Sequence, residues 1–240
     1  MELATSRNLL LRQLSPADRE RLAPHLQAVP LPFRQTLFEQ GEEITHVFFP
    51  DSGVISLVTD LEGGETIETG TVGNEGLAGI PAVLGVRRAP GRAFCQVPGS
   101  GWRVAEAVIA AERERASAWF GLLLRYVSFA TAMTAQSAAC NRLHTVDARM
   151  SRWLLMTHDR VGGDEIPLTQ EFLAEMLGVA RPTVNIAGAT LQKAGFIRYA
   201  RGRISVLDRD GLESAACECY GRIRQELLET LGEPDVKDAR

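Results

Sequence analysis

The 240-residue sequence offers little with which to do covalent chemistry. It has four histidines and four cysteines, Cys95, Cys140, Cys217 and Cys219. The cysteines are scattered, and a lone C-x-C pair does not define a zinc or iron–sulfur motif. Free thiols in a reducing compartment are therefore expected, and no metal site. Between residues 29 and 105 the only histidine is His46. That excludes the clustered His and carboxylate ligands of a cupin-like metal enzyme. No Ser/His/Asp or Cys/His constellation at motif spacing appears either, so no enzyme is expected. No apolar run approaches the roughly 18 residues of a membrane helix. The start, MELATSRNLLLRQL, lacks a full signal-peptide core and a small-residue cleavage site, so a cytoplasmic protein is expected and no membrane partner. The net charge is −4, so any nucleic-acid binding must come from a local basic patch.

The chain begins with a helical region, 9–28, in which Ser15 and Pro16 form a helix start. From Val29 to Ala105 the pattern changes to period two, with turns at 40–42, 50–53, 61–65 and 73–76 and a short apolar segment from Leu77 to Leu84. Many short strands at intervals of about 8–12 residues predict a jelly-roll module. One long helix follows over about 107–142. On it Trp119, Leu123, Tyr126, Ala130, Met133, Ser137 and Cys140 alternate at spacings of four and three, a heptad seam. The seam, chiefly Trp119, Leu123, Tyr126, Ala130 and Met133, is expected to be a dimer interface, with Phe120, Leu124 and Val127 packing on the roll.

A helix over 148–160 and a loop at 161–165 lead to TQEFLAEMLGVARPTVNIAGATLQKAGF, residues 169–196. This reads as helix, tight turn, helix. Thr169 caps a helix over about 170–177, Gly178 stops it, and a second helix runs over about 181–193 with Pro182 in its first turn. Two short strands then flank an Arg201-Gly202-Arg203 tip, a β-wing, before a last helix over about 209–231. Arg181, Lys193, Arg198, Arg201 and Arg203, with Arg209 just beyond, meet no acid before Asp208. Such a patch suits phosphate neutralisation. Arg181, at the start of the second helix, can fork onto guanine, and Thr183 and Asn185 can reach bases or phosphates. Thr169 and Gln170 can donate to phosphate, and Arg201 and Arg203 can lie along the backbone.

The order of roll, long helix, helix-turn-helix and wing resembles the Crp/Fnr family of bacterial transcription regulators across nearly the whole chain. The matching motifs are EQGE at Glu39–Glu42, Gly53-Val54-Ile55, Val72-Gly73 and LTQEFLAEMLGVARPTV. The resemblance implies an α+β fold with a β-roll sensor domain over 1–112, a dimerisation helix over 113–143 and a winged helix-turn-helix domain over 144–231. A tail, 232–240, is expected to be frayed. It also implies a homodimer that reads a near-palindromic DNA site and acts with RNA polymerase.

The effector is left open. In the family's cyclic-AMP binders the phosphate cassette offers Gly-Glu and then Arg-Ser. Here Gly73 and Glu75 are split by Asn74, the Arg-Ser position falls at Gly91-Arg92, and the nucleotide-contacting pair on the long helix becomes Thr134-Ala135. Gly73, Glu75, Arg92 and Thr134 are thus the candidate effector residues, with cyclic AMP not the expected ligand. The first cysteine is Cys95, which argues against the family's N-terminal iron–sulfur sensor; His46 and Cys95 are lone haem-ligand candidates. Pro182 and Ile186 occupy slots where many relatives carry Glu and Arg, so a different operator is expected. The alternative is a ligand-binding regulatory subunit that acts on a protein partner.

Overall fold

The computed structural model describes residues 3–232. The expected tail lies, from residue 233 on, outside the described residues. The first helical region is two short helices, α1 (Leu9–Arg12) and α2 (Pro16–Leu22). Asn8 caps α1 by accepting from the Leu10 and Leu11 amides. Ser15 caps α2 through the Asp18 amide, with ψ at 158°. A residue before proline is steered away from helical ψ, so Ser15-Pro16 must start a new helix and not continue the old one.

The roll is built from β1 (Gln27–Leu31), β2 (Thr36–Phe38), β3 (His46–Pro50), β4 (Val54–Asp60), β5 (Thr66–Val72), β6 (Arg92–Val97) and β7 (Gly99–Ala105). They form two antiparallel sheets, β1-β7-β3 and β2-β6-β4-β5. The apolar segment after β5 carries a single helical turn, α3 (Ile80–Val83). Gly53, in the β3–β4 turn, has φ 81°, and a Cβ there would lie 2.5 Å from the Val97 carbonyl oxygen. Only glycine fits that position without strain.

The expected long helix is two, α4 (Glu106–Arg115) and α5 (Ala118–Leu143). Ala116 takes a left-handed conformation at φ 50°, and Ser117 caps α5 by accepting from the Phe120 amide. The heptad seam faces inward. Trp119, Leu123, Tyr126, Ala130 and Met133 are all buried within the single chain. Trp119 Nε1 donates to the Leu10 carbonyl at 3.1 Å, and its ring lies 5.9 Å from Phe49. Tyr126 packs where a side chain at Gly76 would otherwise sit. The seam is filled by the roll and by α10 (Cys219–Leu231), so the expected assignment of these five residues to a dimer interface is corrected. The outward face of α5 carries Gly121, Leu124, Ser128, Thr131, Ala135 and Ala138, again at alternating spacings of three and four.

The remaining elements are α6 (Val146–Val161), β8 (Glu165–Pro167), α7 (Gln170–Leu177), α8 (Arg181–Lys193), β9 (Ile197–Ala200), β10 (Arg203–Val206) and α9 (Arg209–Ala215). The last expected helix breaks between α9 and α10, where Ala216 is extended. The wing gains a third strand: β8, which begins at the end of the expected loop, pairs with β10 in the order β8-β10-β9. Trp153, Leu154, Phe172, Leu173, Leu177, Val184, Ala187, Leu191 and Ile204 fill this half's core. That core is continuous with the roll: Val54, Val58, Phe94 and Val97 belong to it, and the Phe94 and Phe172 rings meet edge-on at 6.1 Å. The cysteines are not scattered in space. Cys140, Cys217 and Cys219 are free thiols, but they form one buried cluster.

Candidate nucleic-acid interface

Each end of the two central helices is set by a local rule. Thr169 Oγ1 accepts from the Phe172 amide at 3.2 Å, capping α7. Gly178 closes it at φ 62°, its amide reaching back to Ala174 and Glu175. Pro182 sits in the first turn of α8, where no intrahelical donor is lost. Val184, Ala187 and Leu191 bury one side of α8 against α6 and α7. The other side is left to solvent and presents Arg181, Pro182, Thr183, Asn185 and Ile186. Ile186 is 69% exposed, a large apolar side chain with no neighbour to cover it.

Thr169 is exposed and Gln170 half-buried beside this face. Arg201 and Gly202 both take positive φ, 51° and 74°, and make the tight β9–β10 turn that projects the Arg201 side chain. Arg203 opens β10 next to it, and Arg198 is exposed on β9. Two of the cations are held by acids at rest. Arg181 pairs with Glu171 at 2.8 Å and Arg203 with Glu165 at 3.2 Å. All four side chains are more than half exposed, so each pair is worth at most about 1 kcal/mol and yields readily to a stronger anion. Thr169 caps α7, Gln170 opens it, Arg181, Thr183 and Asn185 lie on α8, and Arg201 and Arg203 lie at the β9–β10 turn. Pro182 and Ile186, expected to set a different operator preference, are both exposed on this face.

Of the four candidate effector residues only Gly73 and Glu75 meet; Arg92 and Thr134 lie apart from them. Glu75 is buried and held by Arg160 of α6, with Nη2 to Oε1 at 2.7 Å and Nε to Oε2 at 3.1 Å. The Gly73 amide donates to the same carboxylate, and Arg160 reaches Thr71 as well. Arg92 lies elsewhere on the sheet. It pairs with Asp60 at 3.1 Å and stacks over Phe94. In register Arg92 faces Val58, while Val72 faces Ile55, three residues along β4, or about 10 Å. Thr134 sits on α5 and donates to the Ala130 carbonyl of its own helix. A phosphate-binding cassette of Glu75, Arg92 and Thr134 is therefore corrected: the Glu75 carboxylate is already satisfied by Arg160, a partner 85 residues away in sequence. Of the lone haem candidates, Cys95 is fully buried, and burial pushes its thiol up to about 11. His46 is half-buried and its Nδ1 meets Thr45 Oγ1 at 3.0 Å.

A second contact joins the halves. Glu68 of β5 accepts from Ser56 Oγ at 2.7 Å and from the Trp153 indole N–H of α6 at 2.8 Å. Burial pushes this carboxyl up to about 7, against the pull of those two hydrogen bonds. Among the described residues no helix is long and apolar enough to cross a membrane.

Residues 148–215 match the model of the Crp-like helix-turn-helix domain. Among solved structures, the fold is similar to that of a CRP-family transcriptional regulator from Thermus thermophilus, at 19% identity over 78% of this chain and 96% of that one, with a TM-score of 0.64. It is also similar to FixK2 from Bradyrhizobium japonicum, at 14% identity over 80% and 98%, TM-score 0.61. The c-di-GMP responsive global regulator CLP of Xanthomonas campestris matches at 16% identity over 78% and 96%, TM-score 0.58. No curated protein matches the sequence. At these identities the structural likeness speaks for the fold, and the 148–215 match for the reader domain.

Proposed function

We propose that this chain, which carries a Crp-like helix-turn-helix domain on the fold of the Crp/Fnr regulators, is a DNA-binding transcription regulator that reads a near-palindromic operator as a homodimer. The observation that carries this reading is the solvent face of α8, where Arg181, Thr183, Asn185 and Ile186 stand clear of the core beside the cationic wing. Arg181 supplies a fork for guanine, and Ile186 an apolar surface suited to a thymine methyl. Arg198, Arg201 and Arg203 would hold phosphates and fix register. The dimer would form along the outward stripe of α5, from Gly121 to Ala138, where small residues let two helices approach closely. RNA polymerase is the protein partner such a regulator would meet.

A signal would enter through the roll and reach the reader by way of α6, whose Arg160 and Trp153 touch the roll directly. A cavity of about 240 Å3 at this junction supports a small-molecule signal. Arg7, Arg209 and Arg224 line it beside Phe129, Ile223 and Leu227. The acids Glu75 and Asp159 line it too, held by Arg160 and Arg209, so an anion with an apolar body would be met chiefly by Arg7 and Arg224.

The test is selection of DNA from a random pool, followed by binding titrations of Arg181→Ala. The variant is expected to lose about 1–3 kcal/mol and to relax preference at one base position. Log affinity should fall steeply with log salt, by roughly one counterion per phosphate contact. Enrichment of no sequence at low salt would overturn the reading in favour of a subunit that acts on a protein partner. Unchanged affinity and preference in Arg181→Ala would displace α8 as the reader.

A further inference from the structure

The cysteine cluster is more than three buried thiols. Cys140 and His144 lie one turn apart at the end of α5, and Cys217 and Cys219 flank Glu218 where α9 gives way to α10. The four donor atoms, three Sγ and one imidazole nitrogen, all lie within 4.8 Å of one another. Cys140 Sγ is 3.5 Å from Cys217 Sγ, and Cys219 Sγ is 3.5 Å from His144 Nδ1. A tetrahedral zinc ion, with Zn–S of about 2.3 Å and Zn–N of about 2.0–2.1 Å, spaces its donors about 3.5–3.8 Å apart. Both of these separations come close to that spacing, and the remaining donor pairs lie within 4.8 Å.

The surroundings fit as well. His144 Nε2 faces the Glu218 carboxylate at 3.2 Å, which turns Nδ1 toward the sulfurs, the arrangement by which a carboxylate orients a metal-bound imidazole. Gln136 Nε2 donates to Cys219 Sγ at 3.0 Å, and the Cys219 backbone amide to Cys217. Three thiolates and a neutral imidazole around a dication leave one net negative charge. Two buried arginines of α6, Arg149 and Arg152, lie close enough to feel the Cys140 thiol, and the Nε of each lacks a hydrogen-bond partner among the described residues. Competing chemistries fit less well. A disulfide would use two of the four donors and leave His144 and Cys219 unexplained. A four-iron cluster puts each ligand on a different iron and holds the sulfurs farther apart than this.

We infer that Cys140, His144, Cys217 and Cys219 form a Cys3His site for one zinc ion per chain. The ion would tie the α9–α10 link to the end of α5. His144 is the residue that ends α5 just before α6 begins, so the site would also fix the joint between the helix and the reader domain.

The full-length protein, purified anaerobically with reductant, should hold about one zinc per chain by elemental analysis. Cobalt exchanged into it should give the d–d absorption of a tetrahedral thiolate site. Cys95→Ser, remote from the cluster, should keep the metal, and Cys217→Ser and the His144→Ala/Cys219→Ser pair should lose it. Should those variants fail to fold, the wild type still decides the matter. Zinc should protect three cysteines from alkylation, and chelation should expose them and lower the melting temperature, reversibly on adding zinc. Reduced wild-type protein that takes up neither zinc nor cobalt overturns the inference. So does full zinc retention in folded Cys217→Ser, or alkylation of Cys140, Cys217 and Cys219 at rates that zinc does not change.

Discussion

Replacing Glu75 with glutamine keeps the side chain's volume and removes its charge from beneath Arg160. The two side chains are only 5% and 7% exposed. Arg160 makes two hydrogen bonds to the carboxylate and a third to Thr71, while the Gly73 amide also points at Oε1. In the variant one acceptor becomes an amide NH2 facing a guanidinium, and the arginine is a buried cation that has lost its hydrogen-bonded counter-charge. Breaking a buried pair in this way costs about 3–5 kcal/mol. A domain's whole stability is about 5–15 kcal/mol, so the loss is severe. The double variant Glu75→Gln/Arg160→Met removes both charges and so removes the desolvation cost, and is expected to recover most of the loss. Urea titrations followed by circular dichroism and by tryptophan emission give each corner of the cycle. The pair joins the two halves, so Glu75→Gln should also separate their unfolding transitions. A loss below about 1 kcal/mol, the value of an exposed pair, would refute the reasoning. So would a double variant whose loss equals the sum of the two single losses.

Glu68 makes stability depend on pH. Its carboxyl is raised from 4.5 to about 7 in the folded chain, so the fold binds this proton more tightly than the unfolded chain does. Its contribution is complete at low pH and is lost as pH rises through that window. Urea midpoints at about pH 5 and about pH 8 should therefore differ less in Glu68→Gln than in the wild type; an equal difference would remove Glu68 as the cause. On α5 the two stripes should respond in opposite ways. Thr131→Glu/Ala135→Glu, on the outward face, should give monomers by light scattering while leaving the fold intact. Leu123→Ala, on the inward seam, should cost about 2–5 kcal/mol and leave the mass unchanged. A dimer that survives the two charges would place the interface elsewhere.

The helix-turn-helix was legible to the residue because its boundaries are set by chemistry local in sequence. Thr169 caps, Gly178 stops and Pro182 restarts, and α7 and α8 span the expected 170–177 and 181–193. The seam on α5 was legible as a period but not as a direction. Spacing says which residues share a face, not which neighbour covers it, and the small residues from Gly121 to Ala138 do not stand out as apolar. The break at Ala116 was hidden because alanine is an ordinary helix former and only its neighbour, Ser117, offered a capping signal. Glu75 and the cysteines share a different obstacle. Their partners lie far off in sequence, on Arg160 and across the α5 to α10 contact. The local clues were the C-x-C pair at Cys217 and Cys219 and the helical spacing of Cys140 and His144, two pairs that lie far apart in sequence.

The edge-on contact of Phe94 with Phe172 constrains how this molecule can move. Helix α7 rests on the β-sheet of the roll, Val54, Val58 and Val97 share its apolar core, and Met176 is reached by Ser56. Lifting that helix would wet all of this surface, at about 25 cal/mol for every Å2 of apolar area uncovered. The two halves therefore do not swing as beads on a string. A change of posture must trade this contact for another of similar area, which favours a few discrete postures over a continuum.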